Sequence, residues 1–172
     1  PPPKPHQRWV KVFPLERSRV REVEVAWRGG PHLVMRRQGD SWWMVRPRRY
    51  EVDPERMESL LDSVLFPVEI DTISQQPGDL SQFGLDPPRA RLTVGDARDR
   101  RTLLLGDYTP TRTCSYVKWA GSSRVFTVGA LLMDDLRIKA TLRYLRERAS
   151  SSATSSTSSS ASRRRAASSR TR

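Results

Sequence analysis

Along residues 20–27 Val23, Val25 and Trp27 alternate with Glu22 and Glu24, which predicts a strand with one buried and one polar face. Arg28-Gly29-Gly30-Pro31 reads as a turn, and Gln38-Gly39-Asp40-Ser41 separates two more short strands, 33–37 and 42–46. The first third is thus an antiparallel meander. The period then changes. Met57, Leu60, Leu61, Val64 and Leu65 recur every three or four residues, predicting an amphipathic helix with Asp53 as cap, Pro54 at its first position and Pro67 ending it. Val52 and Met57 have the spacing of a hydrophobic staple, although Arg56 stands where a capping box would place Glu or Gln.

Beyond the helix, a strand over 69–73 is followed by Gln75-Gln76-Pro77-Gly78 and a single helical turn over 79–83. Gly84 suits the left-handed conformation that closes such a turn, and Pro87 and Pro88 keep the chain extended, so the stretch 84–88 is a joint. Arg89, Arg91 and Thr93 alternate with Ala90, Leu92 and Val94, then a loop at Gly95-Asp96 leads to a strand over 101–105. Gly106-Asp107 reads as the next turn. Strands over 116–119 and 124–128, divided by Gly121-Ser122-Ser123, precede a short helix starting at Ala130. Ile138, Leu142 and Leu145 fit either a helical face or an extended arm.

The expected fold class is α+β, with antiparallel β-meanders packed by two or three short helices. The domain spans 18–149, with a proline-rich leader at 1–17 and a Ser/Arg-rich tail at 150–172. Two halves, 18–73 and 79–137, share the order meander then helix, a faint internal repeat with little identity behind it.

Composition adds a partner class. The 172 residues carry a formal net charge of +12, which attracts nucleic acid, anionic lipid headgroups or an acidic protein face. From Ser150 onward there are five arginines, eleven serines and no acid, so 26 basic residues face 19 acidic ones in the remainder. The tail lacks every large apolar side chain and cannot offset its own ordering entropy, so order there requires a large partner. Cys114 is the sole cysteine, which excludes an intrachain disulfide and any multi-cysteine metal site. No apolar run approaches the roughly 18 to 20 residues a bilayer demands. Residue 1 is a proline, which is consistent with an anchor or export signal lying ahead of it.

The run 80–94 (LSQFGLDPPRARLTV), then TLLLGD at 102–107 and SYVKWAGSSRVFTV at 115–128, resembles the bacterial domain-of-unknown-function 4340 family in its "GLDPP" joint, "LLLGD" strand end, and "YV" and "VF" strands. The upstream tryptophan strand and the helix opening Asp53-Pro54 extend the resemblance over roughly 18–137. It implies a domain without assigned catalytic residues, often following a membrane-spanning segment and sitting on the outer side of the inner membrane. The Ser/Arg tail departs from that pattern.

Catalytic patterns are sparse. The two histidines, His6 in the leader and His32 at a turn, have no Gly-x-Ser-x-Gly elbow beside them, and Cys114 reads as a small strand filler. Asp40, Asp79, Asp96 and Asp107 each follow a glycine, as turn and cap residues do, while adjacent Asp134 and Asp135 diverge by about 100° on a helix. Walker and Rossmann glycine patterns are missing. The expectation is therefore no catalytic residue, no cofactor and no metal.

Binding has better support. Trp42 and Trp43 must point to opposite faces of their strand, and Arg46, Arg48 and Arg49 follow beside Tyr50. This strip either grips phosphates, bases or an acidic surface, or else one indole fills the core, the other packs under a helix and the arginines are solvated. Arg163, Arg164 and Arg165 either touch nucleic acid or headgroups or extend as a solvated tail. The expected role is a non-enzymatic accessory or scaffold subunit of a bacterial membrane-associated complex in the cell envelope, on the periplasmic face of the inner membrane, partnered by other protein subunits and in possible contact with anionic lipid. The alternatives are a cytoplasmic or nucleic-acid-associated basic protein, and an envelope hydrolase.

Overall fold

The computed structural model describes residues 9–146 and contains a single antiparallel sheet with three helices on one side of it. The strands are β1 (Glu22–Trp27), β2 (His32–Gln38), β3 (Ser41–Arg46), β4 (Tyr50–Glu51), β5 (Glu69–Ser74), β6 (Ala90–Gly95), β7 (Arg100–Tyr108), β8 (Cys114–Trp119) and β9 (Val125–Gly129). Their order across the sheet is β4-β3-β2-β1-β6-β7-β8-β9-β5. The two meanders therefore run outward in mirrored order from a seam where β1 lies antiparallel to β6, with Val23 opposite Val94 and Val25 opposite Leu92. β5, contributed by the first half of the chain, lies beyond β9 at the far edge. The fold class read from the sequence is the one observed.

Helix α1 (Pro54–Leu65) forms as its sequence dictates. The Asp53 carboxylate accepts the backbone N–H of Arg56 at 3.1 Å, satisfying one of the donors orphaned at a helix start. Met57, Leu60, Leu61, Val64 and Leu65 are all buried. Residues 138–146 resolve the choice between helix and arm: α2 (Leu131–Lys139) and α3 (Leu142–Arg146) follow one another, with Leu136 and Leu145 fully buried. α1 and α2 run antiparallel, since Lys139 reaches back to Ser59 and Asp135 reaches Ser63.

The main core lies between the helices and one sheet face. It joins Val23, Val25, Leu33, Met35 and Met44 of the first meander to Leu92, Leu103, Leu105, Val117 and Phe126 of the second. Burial of each such side chain contributes about 1.5–3 kcal/mol before entropy is counted, which is why alternation in the strands fixes which face is inward. Phe13 meets the Trp119 ring edge-on at 5.1 Å and closes the core at the β8 side.

A smaller apolar cluster occupies the opposite face of the sheet. The excursion at 75–88 crosses it as a strap, and Leu80, Phe83 and Leu85 pack on Leu104, Tyr116 and Val125 of β7, β8 and β9. The joint at 84–88 serves this strap, but it is not extended as expected: Leu85 and Pro88 bridge each other across a tight turn at Asp86-Pro87. Gly84 has φ +67° and closes a single 3-10 turn (Ser81–Phe83), as its position in the sequence predicts. Gly106, however, is not a turn residue. β7 continues through Gly106-Asp107 to Tyr108, because the strap lies directly on it: a methyl group on Gly106 would come within 3.0 Å of the Phe83 carbonyl oxygen, and one on Gly84 would collide with Asp107. The chain reverses later, at 109–113, where Thr109 N–H bonds to the Cys114 carbonyl at 2.9 Å.

Candidate docking site

The strap covers only one half of the outer sheet face. Over β2, β1 and β6 that face stays in solvent, and period-two alternation sets its chemistry: Arg36, Glu22, Glu24, Arg91 and Thr93 point outward while Met35, Val23, Val25, Leu92 and Val94 point to the core. Two glutamates on the central strand are gripped from both sides. Glu22 Oε2 accepts from Arg36 Nε at 2.9 Å and its Oε1 lies 2.7 Å from Arg100 Nη2. Glu24 lies 2.8 Å from Arg100 and 2.5 Å from His32 Nε2. Both arginine side chains are 57% exposed, so solvent screening limits each pair to about 1 kcal/mol or less. Their effect is on the surface itself: the acids are already paired, and Arg91 makes no ion pair among the described residues.

Between Arg91 and Arg100 the face dips. Glu24, Ala26, Thr93 and Thr102 complete a depression of about 340 Å³, open to solvent. Across its floor the hydroxyls of Thr93 and Thr102 share one hydrogen bond of 2.8 Å. At the border the Arg28 guanidinium donates to the Pro87 carbonyl at 3.0 Å, tying the end of the strap to the rim.

The tryptophan pair divides as alternation requires. Trp42 is buried in the core, and Trp43 is half-buried on the outer face opposite Arg36 and Glu51. The expectation that the second indole packs under a helix is overturned, because all three helices lie on the other side of the sheet. Trp43 is instead capped by Arg49, whose guanidinium carbon sits 5.0 Å from the ring centroid while its Nη2 donates to Gln38 at 3.2 Å. Arg46 and Arg48 are exposed on the same edge. Burial pushes the Tyr50 phenol above its ordinary pKa, against the pull of Arg146 and Arg48. The structure thus assembles Trp43, Arg46, Arg48 and Arg49, and separates Trp42 from them. Arg163, Arg164 and Arg165 lie outside the described residues, as does His6.

Sequence alone missed the contribution of Arg36, Arg91 and Arg100. The alternation around Arg91 was visible, but the β1–β6 seam that sets it opposite Ala26, diagonal to Glu24, joins segments far apart in the chain.

Catalytic candidates take structural positions. His32 bonds Glu24. Cys114 opens β8 with its N–H on Thr109 Oγ1 at 3.3 Å. Asp79 and Asp96 act as turn caps: Asp79 accepts the Ser81 hydroxyl at 2.6 Å and its N–H at 2.9 Å, and Asp96 accepts the N–H groups of Arg98 and Asp99. These bonds hold both carboxyls below the usual carboxylate range. One polar cluster escaped the sequence reading. Ser63 Oγ donates to Asp135 at 2.8 Å and accepts from Lys139 at 2.8 Å, between α1 and α2. Ser63 is buried, and the trio ties α1 to α2. Among the described residues no three His, Cys, Asp or Glu side chains gather to hold a metal ion, and no helix is long and apolar enough to cross a membrane.

A family model described as "Domain of unknown function (DUF4340)" matches residues 67–155, just over half of the chain. The match leaves out 18–66, which the sequence resemblance had taken in, and runs on past 137. Within the described residues it covers β5 to β9 with α2 and α3, and those five strands are neighbours in the sheet. Among curated proteins and among solved structures nothing matches the chain.

Proposed function

The chain belongs to the DUF4340 family of domains of unknown function, and from that premise we propose that it is a non-enzymatic accessory subunit of a bacterial membrane-associated complex, acting by docking to other protein subunits. The observation that carries the reading is the asymmetry of the outer sheet face. One half is closed by the chain's own apolar strap, and the other presents exposed arginines and a half-buried tryptophan to solvent. A surface of this kind suits adhesion, since aromatic residues and arginine are the residue types that anchor interfaces. The proposed site of action is the periplasmic face of the inner membrane. The test is to solubilise membranes of the native host in mild detergent and follow the protein by native electrophoresis and gel filtration. Co-migration with a fixed set of subunits is expected, and a lone monomer absent from membrane fractions would overturn the reading.

Nucleic-acid association is the second reading, favoured by Arg49 stacked on Trp43 with Arg46 and Arg48 beside it. It requires an affinity for oligonucleotides that falls steeply with salt and shrinks when residues 150–172 are removed. A flat salt response excludes it.

A further inference from the structure

We infer that the bare half of the outer sheet face, centred on the depression between Arg91 and Arg100, receives an extended acidic segment of a partner protein. This names the partner chemistry for the docking role proposed above, and rests on it.

The two halves of the face give the comparison. Where the face is apolar, at Leu104, Tyr116 and Val125, it is covered by an apolar segment of the chain itself, the strap. Where it is charged, no segment among the described residues covers it, and a complementary cover must be anionic. The glutamates already present show how a carboxylate binds here, because Glu22 bridges two strands by accepting Arg36 on one side and meeting Arg100 on the other. Arg91 offers the same guanidinium fork without such a partner among the described residues. Beneath it, Thr93 and Thr102 use one hydroxyl proton in their mutual bond and keep the second as a donor. The depression, about 340 Å³ and open above, holds one or two side chains of a segment that lies across the strands rather than an enclosed small molecule.

Carboxylate spacing favours a peptide over a nucleic acid. Glu22, Glu24 and Glu51 are interleaved with the arginines on this face, so a strand with a phosphate at every nucleotide must set some of its charges against carboxylates. Separated acidic side chains, with neutral residues between, fall on the arginines alone. A bilayer is disfavoured by the same interleaving, which presents anionic headgroups with both signs of charge.

The experiment uses the full chain and a fluorescein-labelled peptide alternating glutamate with serine, read by anisotropy, together with an oligothymidylate and phosphatidylglycerol-containing vesicles. The inference expects the peptide to bind and the combined Arg46→Glu/Arg91→Glu variant to weaken it by about tenfold or more, as loss of complementary charges does. The charge-matched control Arg143→Glu, in α3 on the helix side, should change it less than about twofold. The milder Arg91→Gln variant, with circular dichroism to verify folding, guards against a misfolded double variant. Peptide binding that ignores Arg46 and Arg91, or oligonucleotide or vesicle binding that is tighter and lost with the same two arginines, overturns the inference. Loss of the native membrane complex with peptide binding intact would refute the proposed setting and leave this surface standing.

Discussion

Replacing Gly106 with alanine isolates the close approach between the strap and β7. Its backbone is not left-handed, so an L-residue fits there without torsional strain, and the only objection is steric. The new methyl would lie within 3.0 Å of the Phe83 carbonyl oxygen, and also 3.0 Å from the Leu85 side chain. Backbone cannot swing aside as a side chain does. The 3-10 turn must lift, and with it Phe83 and Leu85 leave Tyr116, Leu104 and Val125. Overpacking of this kind costs about 1–3 kcal/mol. Gly39→Ala provides the contrast, since Gly39 has φ +62° and nothing near its missing Cβ, so it reports left-handed strain alone, about 1–2 kcal/mol. Gly84→Ala combines both terms, with φ +67° and a collision with Asp107, and should be the worst of the three at roughly 2–5 kcal/mol. Urea unfolding gives the three values, and limited chymotrypsin digestion reports release of the strap at Leu80 and Phe83. A Gly106→Ala protein that unfolds within about 0.5 kcal/mol of the parent and keeps its strap protected would show that the two backbones do not meet as described.

Three further outcomes are expected. Ser63→Ala removes the bonds that tie α1 to Asp135 and Lys139 of α2 and should cost about 1–2 kcal/mol in urea unfolding, with no helix lost by circular dichroism. Asp53→Ala deletes the cap of α1 and should cost about 1 kcal/mol, whereas Asp53→Asn should restore most of it. The carboxyl of Asp79 should titrate, by NMR, below the ordinary aspartate value because Ser81 hydrogen bonds favour its ionised form; the stabilisation this gives is present above the unfolded-state pKa and disappears as pH falls through the folded one, and Ser81→Ala should move the midpoint back up.

Much of the fold was legible because its signals are local. Alternation at Glu22–Trp27 and the three- and four-residue spacing from Met57 to Leu65 each state which side faces the core, and the structure agrees at every one of those helical positions. Gly106-Asp107 misled because glycine followed by aspartate usually marks a turn, while here the glycine answers to a distant backbone that no local pattern announces. The candidate site was legible in parts only. Arg46, Arg48 and Arg49 stand together in sequence, and the opposite directions of Trp42 and Trp43 follow from the pleat. Arg36, Arg91 and Arg100 belong to three strands whose pairing depends on long-range topology, so the convergence of Arg36 and Arg100 on Glu22 and Glu24, with Arg91 left beside them, was beyond any reading of neighbours.

The placement of β5 carries a consequence for how the chain comes off the ribosome. Glu69–Ser74 is made early, but the strand it lies against, Val125–Gly129, emerges some fifty residues later. Through that interval the earlier partner among the described residues is Val10–Val12, whose Val10 carbonyl accepts the Glu69 N–H and whose Val12 N–H donates to the Pro67 carbonyl just ahead of the strand. Synthesis must therefore run nearly to the end of the second meander before the sheet can zip closed, and a pause before Val125 leaves a half-clothed edge awaiting its neighbour.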